Sequence, residues 1–224
     1  MPLDPYDLAS PGVWYESGGV YTNASTIQLI DSFEDGNITE WSNMYGPTGE
    51  FSAVQSTAYD GSYSLQADAA SSGIYTMPGD GLPNLPFGPG ETLRVWIRST
   101  LGYSTGTKSK IFVSYGIQDL SNSYYIRYDW DAGQLRIYLY EADSGTQLAE
   151  DPNPTLAADT YYLLELDWSS GNTHTASLYD APPESGGSTL ASCAATDSTF
   201  GSGGISAEAD YASGTAFFDY YHKL

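Results

Sequence analysis

The chain has 224 residues, with 28 Asp+Glu against 7 Lys+Arg, a formal net charge of -21 and one cysteine, Cys193. That balance supplies no basic footprint, which excludes duplex DNA and anionic membranes as partners. The single cysteine excludes an intrachain disulfide and a thiolate metal cluster, and no stretch approaches the ~18 apolar residues of a membrane-spanning helix. An acid-rich, lysine-poor chain whose self-repulsion is relieved at molar salt points to a halophilic source.

Residues 1–28 read as an extended N-terminal arm. Pro2, Pro5, Pro11, Gly12, Gly18 and Gly19 interrupt regular structure, while Trp14, Tyr15 and Tyr21 are too apolar for a plain linker and are the candidate partner-docking residues. The arm has no basic region and no apolar run, so it is not a secretory signal, and the chain is expected not to be exported by that route.

Residues 29–224 read as strands. IQLIDSFEDG and EFSAVQSTAYDGSYSLQAD come first, followed by a proline-rich loop from Gly73 to Gly90. ETLRVWIRST turns Leu93, Val95 and Ile97 inward and Arg94, Trp96 and Arg98 outward, and KIFVSYGIQD aligns Ile111, Val113, Tyr115 and Ile117. The strongest signal is SYYIRYDWDAGQLRIYLYEADSG. Tyr124, Ile126, Tyr128 and Trp130 alternate with Tyr125 and Arg127, and Leu135, Ile137 and Leu139 alternate with Arg136, Tyr138 and Tyr140 across an Asp-Ala-Gly turn. TYYLLELDWSSG, THTASLYDA and GGISAEADYASGTAFFDYYHKL supply the last strands. Short strands separated by Gly, Pro, Asp and Ser turns, with no helical period, give an all-β fold, a two-sheet antiparallel jelly-roll sandwich.

Three segments carry a resemblance. Asp31-Ser32-Phe33-Glu34-Asp35-Gly36 followed by Trp41 is similar to the first-strand signature of the concanavalin A-like, laminin-G-like jelly rolls and related carbohydrate-binding modules. Tyr59-Asp60-Gly61-Ser62-Tyr63-Ser64-Leu65 resembles their turn and strand. Gly203-Gly204-Ile205, with Gly214-Thr215-Ala216-Phe217-Phe218-Asp219-Tyr220, resembles their closing hairpin, where the last strand returns beside the first. The resemblance implies a structural Ca²⁺ held by Glu34, the Asp60–Ser62 turn and Asp219.

Arg94, Trp96, Arg98, Tyr125, Arg127, Arg136, Tyr138 and Tyr140 share the faces opposite the apolar ones and are the candidate ligand-binding residues. If their strands share a sheet they form one patch, where guanidinium forks and rings suit an acidic or neutral glycan. Two other readings stand beside it: a subunit contact, and cross-strand pairing with Asp129, Glu165 and Asp167. Glu165-Leu166-Asp167 resembles the Glu-x-Asp-x-x-Glu strand of glycosidases on this fold, but Ser170 stands where the second glutamate belongs, so no catalytic pair is expected. A recognition fold without an export signal leads to the expectation of a non-enzymatic virion protein of a halophilic archaeal virus, displaying a module for host-surface glycans. Its expected partners are other virion proteins and further copies of itself as a homo-oligomer. The alternatives are a carbohydrate-binding or adhesion module at the cell surface, outside the cell, and a glycoside hydrolase.

Overall fold

A computed structural model describes residues 14–17, 20–23, 27–41, 43–45, 50–55, 57–103, 108–152 and 154–224, with the backbone alone for 14–17, 20–23, 43–45 and 69–70. The strands in chain order are β1 (Trp14–Ser17), β2 (Val20–Asn23), β3 (Gln28–Asp31), β4 (Asn43–Tyr45), β5 (Phe51–Val54), β6 (Ser64–Thr76), β7 (Glu91–Ser99) and β8 (Ser109–Asp119). They continue with β9 (Asn122–Asp129), β10 (Gln134–Glu141), β11 (Ser144–Asp151), β12 (Tyr162–Trp168), β13 (Thr173–Tyr179), β14 (Thr189–Thr196) and β15 (Gly204–Lys223). All pairings are antiparallel.

The main strand order is β11-β10-β9-β8-β15-β7-β12-β13-β14, with β3 and β6 also on β15. β15 holds it together. Its first half pairs β8 and its second half pairs β7, while β6 follows it on the other side through both. A register shift between Tyr211 and Thr215 lets the strand bend from one layer into the other. The layers then lie face to face. Tyr115 on β8 and Tyr124 on β9 put their rings 5.6 Å from Trp168 on β12, and Tyr124 lies 4.5 Å from His174 on β13. The far edges meet as well, where the Ser192 amide of β14 donates to Asp151 of β11 at 3.0 Å.

The inward sets expected from alternation are inside: Leu93, Val95, Ile97, Ile111, Val113, Tyr115, Tyr124, Ile126, Tyr128, Trp130, Leu135 and Ile137 are buried. The first-strand motif locks the chain ends together. Trp41 Nε1 donates to Asp31 at 2.6 Å, and the Trp41 ring meets Phe33 at 6.0 Å and Tyr221 of the last strand at 5.3 Å. β3 pairs with residues 221–223, so the last strand does return beside the first.

Four expectations are corrected. Residues 1–28 include an antiparallel pair, β1 with β2, because aromatic and β-branched residues flank Gly18-Gly19, the composition of a tight hairpin. The side chains of Trp14, Tyr15 and Tyr21 lie outside the described residues. The proline-rich loop starts at Met77, since Gly73–Thr76 still pair with Ile205–Glu208. The closing segment is one bent strand and not a hairpin, and β11 and β14 add two strands that their polar, small-residue sequences hid.

β15 begins wedged between β8 and β6, and only glycine fits there. A Cβ on Gly204 would stand 2.2 Å from the Thr76 carbonyl oxygen, a backbone atom that cannot swing aside. Gly204→Ala is expected to cost about 1–3 kcal/mol by overpacking, read as a lowered urea midpoint at unchanged slope.

Candidate functional site

Strand register builds the site on the outer face of the β6-β15-β8-β9-β10 layer. Pairing sets Glu208 opposite Phe112, Phe112 opposite Arg127, and Arg127 opposite Arg136. The next row sets Ser114 opposite Tyr125 and Tyr125 opposite Tyr138, and Ser123 faces Tyr140 beyond them. The result is a ring ladder. Tyr125 stacks on Tyr138 with centroids 4.8 Å apart, Phe112 meets Tyr125 edge-on at 5.7 Å, and Tyr140 stands 6.3 Å from Tyr125. These rings are half-buried, unlike the inner ones, and Phe112, Tyr125 and Tyr140 border a cleft of about 450 Å³ lined also by Glu208 and Asp210 of β15 and Ser71 and Tyr75 of β6.

Polar groups in the cleft are held in place. The Ser114 hydroxyl donates to Glu208, as does Ser206 at 2.5 Å. Ser71 donates to Asp210 at 2.7 Å and Lys108 Nζ lies 2.6 Å from it. Burial would raise the Asp210 carboxyl, but the bonds from Lys108 and Ser71 outweigh it and hold the group below its ordinary range. Burial pushes the Tyr125 phenol up to about 12. Hydroxyls, carboxylates and half-exposed rings on rigid strands can hydrogen-bond and stack on a polyhydroxylated ring.

The eight predicted ligand residues do not form one patch. Because the inner rings of β8 and β9 face those of β12 and β13, the outer faces of the two layers point in opposite directions. Tyr125, Arg127, Arg136, Tyr138 and Tyr140 fall on one, and Arg94, Trp96 and Arg98 on the other. The structure also shows all four arginines engaged by carboxylates, Arg94 and Arg136 across strands, Arg127 within its own strand and Arg98 with a turn residue. Arg127 and Arg136 converge on Asp129, which is 2% exposed, at 2.9 and 2.7 Å, and Arg136 also reaches Glu150 at 2.6 Å. Arg127 lies 4.9 Å above the Tyr138 ring. On the far side Arg94 binds Glu165 and Glu184, both at 2.7 Å, and Arg98 binds Asp159 at 2.5 Å. Trp96 is buried beneath Tyr59, whose ring stacks on it at 3.5 Å. Glu165 is therefore tied to an arginine, and Asp167 accepts from Thr92 at 3.2 Å.

The acids predicted to hold a metal do meet at one turn. Glu34 accepts the amides of Ser62 at 2.9 Å and Tyr63 at 2.8 Å, and Asp219 accepts those of Tyr59 at 2.7 Å and Asp60 at 3.2 Å. Gly61 is needed for this grip, since its φ is +68° and a Cβ would stand 2.4 Å from the Glu34 carboxyl carbon. Asp60 contributes its backbone amide. Burial pushes the Asp219 carboxyl up to about 7, and its Oδ1 is buried without a hydrogen-bond partner. Among the described residues no three His, Cys, Asp or Glu side chains gather as a metal cluster.

Sequence reasoning passed over Phe112, Tyr75, Glu208 and Asp210. A signal existed in ISAEADY, where Ser206, Glu208 and Asp210 alternate with Ile205, Ala207 and Ala209.

No protein-family model matches the sequence, and no curated protein does. Solved structures do. The chain is similar to the cellulose-induced protein Cip1, with a TM-score of 0.59 at 16% identity over 87% of this chain and 95% of that one. It is similar to the carbohydrate-binding module CBM66 from Bacillus subtilis, with a TM-score of 0.50 at 18% identity over 78% of this chain and 94% of that one. The exoplasmic/lumenal domain of VIP36, in its Ca²⁺/Man3GlcNAc-bound form, matches with a TM-score of 0.53 at 12% identity over 78% of this chain and 82% of that one. At these identities the similarity establishes the fold, an all-β jelly-roll sandwich.

Beside Arg94 and Glu184, His222 is buried and accordingly lowered, to about 4 from an ordinary 6.5, with the neighbouring Arg94 charge acting in the same direction. The folded state therefore refuses a proton that the unfolded chain takes, so this contribution is whole above pH 6.5 and is lost as pH falls through 4. Relative to His222→Gln, the wild type is expected to lose up to about 3 kcal/mol between pH 7 and 4, measured by urea unfolding at a series of pH values.

Proposed function

We propose that the chain is a non-catalytic carbohydrate-binding module, working at a surface outside the cell, and that the ring-lined cleft of the β6-β15-β8-β9-β10 layer is its binding face. The observation that carries this reading is the cleft itself: Phe112, Tyr125, Tyr140 and Tyr75 present ring surface beside serine hydroxyls and carboxylates fixed by strand register. Rings cover the apolar face of a sugar while carboxylates accept its hydroxyls with charge-assisted bonds. The similarity to a carbohydrate-binding module and a glycan-bound lumenal domain supports the same reading. A virion role has no counterpart among these structures, so the surface binding module is the better-supported reading. The hydrolase reading is not favoured, because the Glu165 carboxylate is engaged by Arg94.

The two faces make the proposal easy to test. On immobilised polysaccharides, Tyr140→Ala is expected to weaken retention about tenfold, the loss of one stacking ring, whereas Arg98→Ala on the opposite face is expected to leave it unchanged. Equal losses in both variants would assign the effect to stability and remove the site.

A Ca²⁺ ion at the Tyr59–Tyr63 turn belongs to this proposal. The buried Asp219 Oδ1 without a partner supports it, and Glu34 grips the same turn, although backbone carbonyls would have to supply most of the six to eight oxygens. Bound there, the ion would stiffen the loop over Trp96. Millimolar Ca²⁺ added to chelator-treated protein is expected to raise the thermal midpoint of the wild type by about 4 °C or more and to leave Asp219→Asn unmoved. No shift in either would mean that the two acids serve as acceptors for the turn alone.

A further inference from the structure

We infer that the binding face takes an internal stretch of an extended, uncharged glycan chain and turns away glycans bearing carboxylate or sulfate, an inference that rests on the carbohydrate-binding reading. Two observations carry it, one of shape and one of charge.

The cleft over the ring ladder does not end at the sheet. A second cleft of about 600 Å³, at the tip of the β8–β9 hairpin and the end of β6, is lined by Tyr75, Met77, Gln118, Asp119, Leu120 and neighbouring residues. Tyr75, Asp119 and Leu120 line both, so the two are one groove. From Phe112 to Asp119 it follows β8, at most about 24 Å at the rise of an extended strand and somewhat less where the strand kinks at Gly116. That is several times the width of a sugar ring. The far end runs out between exposed Gln118, Asp119 and Leu120, the last 59% exposed, so among the described residues nothing there caps a chain terminus.

The charged residues lining the groove are Asp119, Glu208 and Asp210, and no Lys or Arg lines it among the described residues. The cations beside the groove are Lys108, bound to Asp210, Arg127, bound to Asp129 and seated over the Tyr138 ring, and Lys110, which pairs in register with Asp210 and offsets part of its charge. Asp119 stays ionised because the Asn122 amide and the Ser121 N–H donate to it and lower its carboxyl. These groups suit sugar hydroxyls and repel an anion, and the net charge of -21 adds repulsion at longer range. An acidic glycan, held open as a ligand class in the sequence, is thereby disfavoured for this face.

The test uses the full chain on a panel of immobilised neutral polysaccharides (glucan, mannan, xylan, galactan) and anionic ones (a polyuronate, a sulfated galactan), followed by titration with oligosaccharides of one to six units. Retention by a neutral polymer, affinity rising at least tenfold from one unit to six, and at least tenfold weaker binding of the polyuronate at low salt are the expected results. Asp119→Asn, at an exposed hairpin tip where the amide oxygen can still accept the Ser121 N–H, is expected to improve polyuronate binding severalfold, and Glu208→Gln to do the same, with urea unfolding of each variant reporting any loss of fold. Tightest binding to an anionic polymer, or a single unit bound as tightly as six, would overturn this inference and leave the carbohydrate-binding reading standing. Retention by no polysaccharide of either charge would overturn both.

Discussion

The arrangement of every candidate residue depends on a strand that belongs to both layers. Ahead of its bend, β15 turns Ile205, Ala207 and Ala209 inward; beyond it, Ala216 and Phe218 take that place. The side chains that face the core thus change from odd to even numbers. β6, its partner through both halves, makes the complementary change, from Leu65 and Ala67 to Ile74. Since a slip of one residue exchanges the faces of a strand, two strands that both change parity across the break in their pairing between Tyr211 and Thr215 rotate their outer faces in concert. That change of parity carries Glu208 and Asp210 to the cleft of one layer and Asp219 to the Tyr59–Tyr63 turn of the other.

Charge follows the same division. Six of the seven Lys+Arg side chains, Arg94, Arg98, Lys108, Arg127, Arg136 and Lys223, lie within ion-pair distance of a carboxylate. Most of these cations are half-buried or deeper, where a guanidinium left without its acid would be costly, so each arginine is a fixture of its sheet more than a free recognition group. Burying Asp129 between Arg127 and Arg136 also ties β9 to β10 at the end of the ring ladder and fixes the Arg127 plane over Tyr138. What this leaves facing the groove is acid, hydroxyl and ring.

How much of this was legible in the sequence differs by element. The inward sets of β7, β8, β9, β10 and β12 could be read directly, because alternation in a strand buried on one side needs no tertiary information. β11 and β14 could not, since Ser144–Asp151 and Thr189–Thr196 hold few large apolar residues and owe their place to neighbours at the closing edge. The arginine patch failed for a different reason. Outward orientation was right for all four residues, but whether β7 and β9 show their outer faces to the same side is decided by the bend in β15, which no local pattern announces. At the Glu34 and Asp219 turn the motif foretold the convergence of three distant segments, while the amide hydrogen bonds that occupy those carboxylates became visible only in the fold.

The contrast between the two sets of rings bears on why the cleft suits a ligand. Tyr115, Tyr124, Tyr128, Trp130 and Trp168 are fully enclosed and hold the layers together. Phe112, Tyr125, Tyr138 and Tyr140 keep part of their surface in solvent, an arrangement that contributes less burial and invites contact. Yet they are not loose. Each sits on a strand paired on both sides, and Tyr125 is braced by Tyr138, Phe112 and Tyr140. A partner that stacks on such a platform does not first have to order a loop, and the entropy lost on association is correspondingly smaller. Rigid strands, more than the count of contacts, are therefore what would let a shallow groove hold a flexible, uncharged, hydroxyl-rich chain.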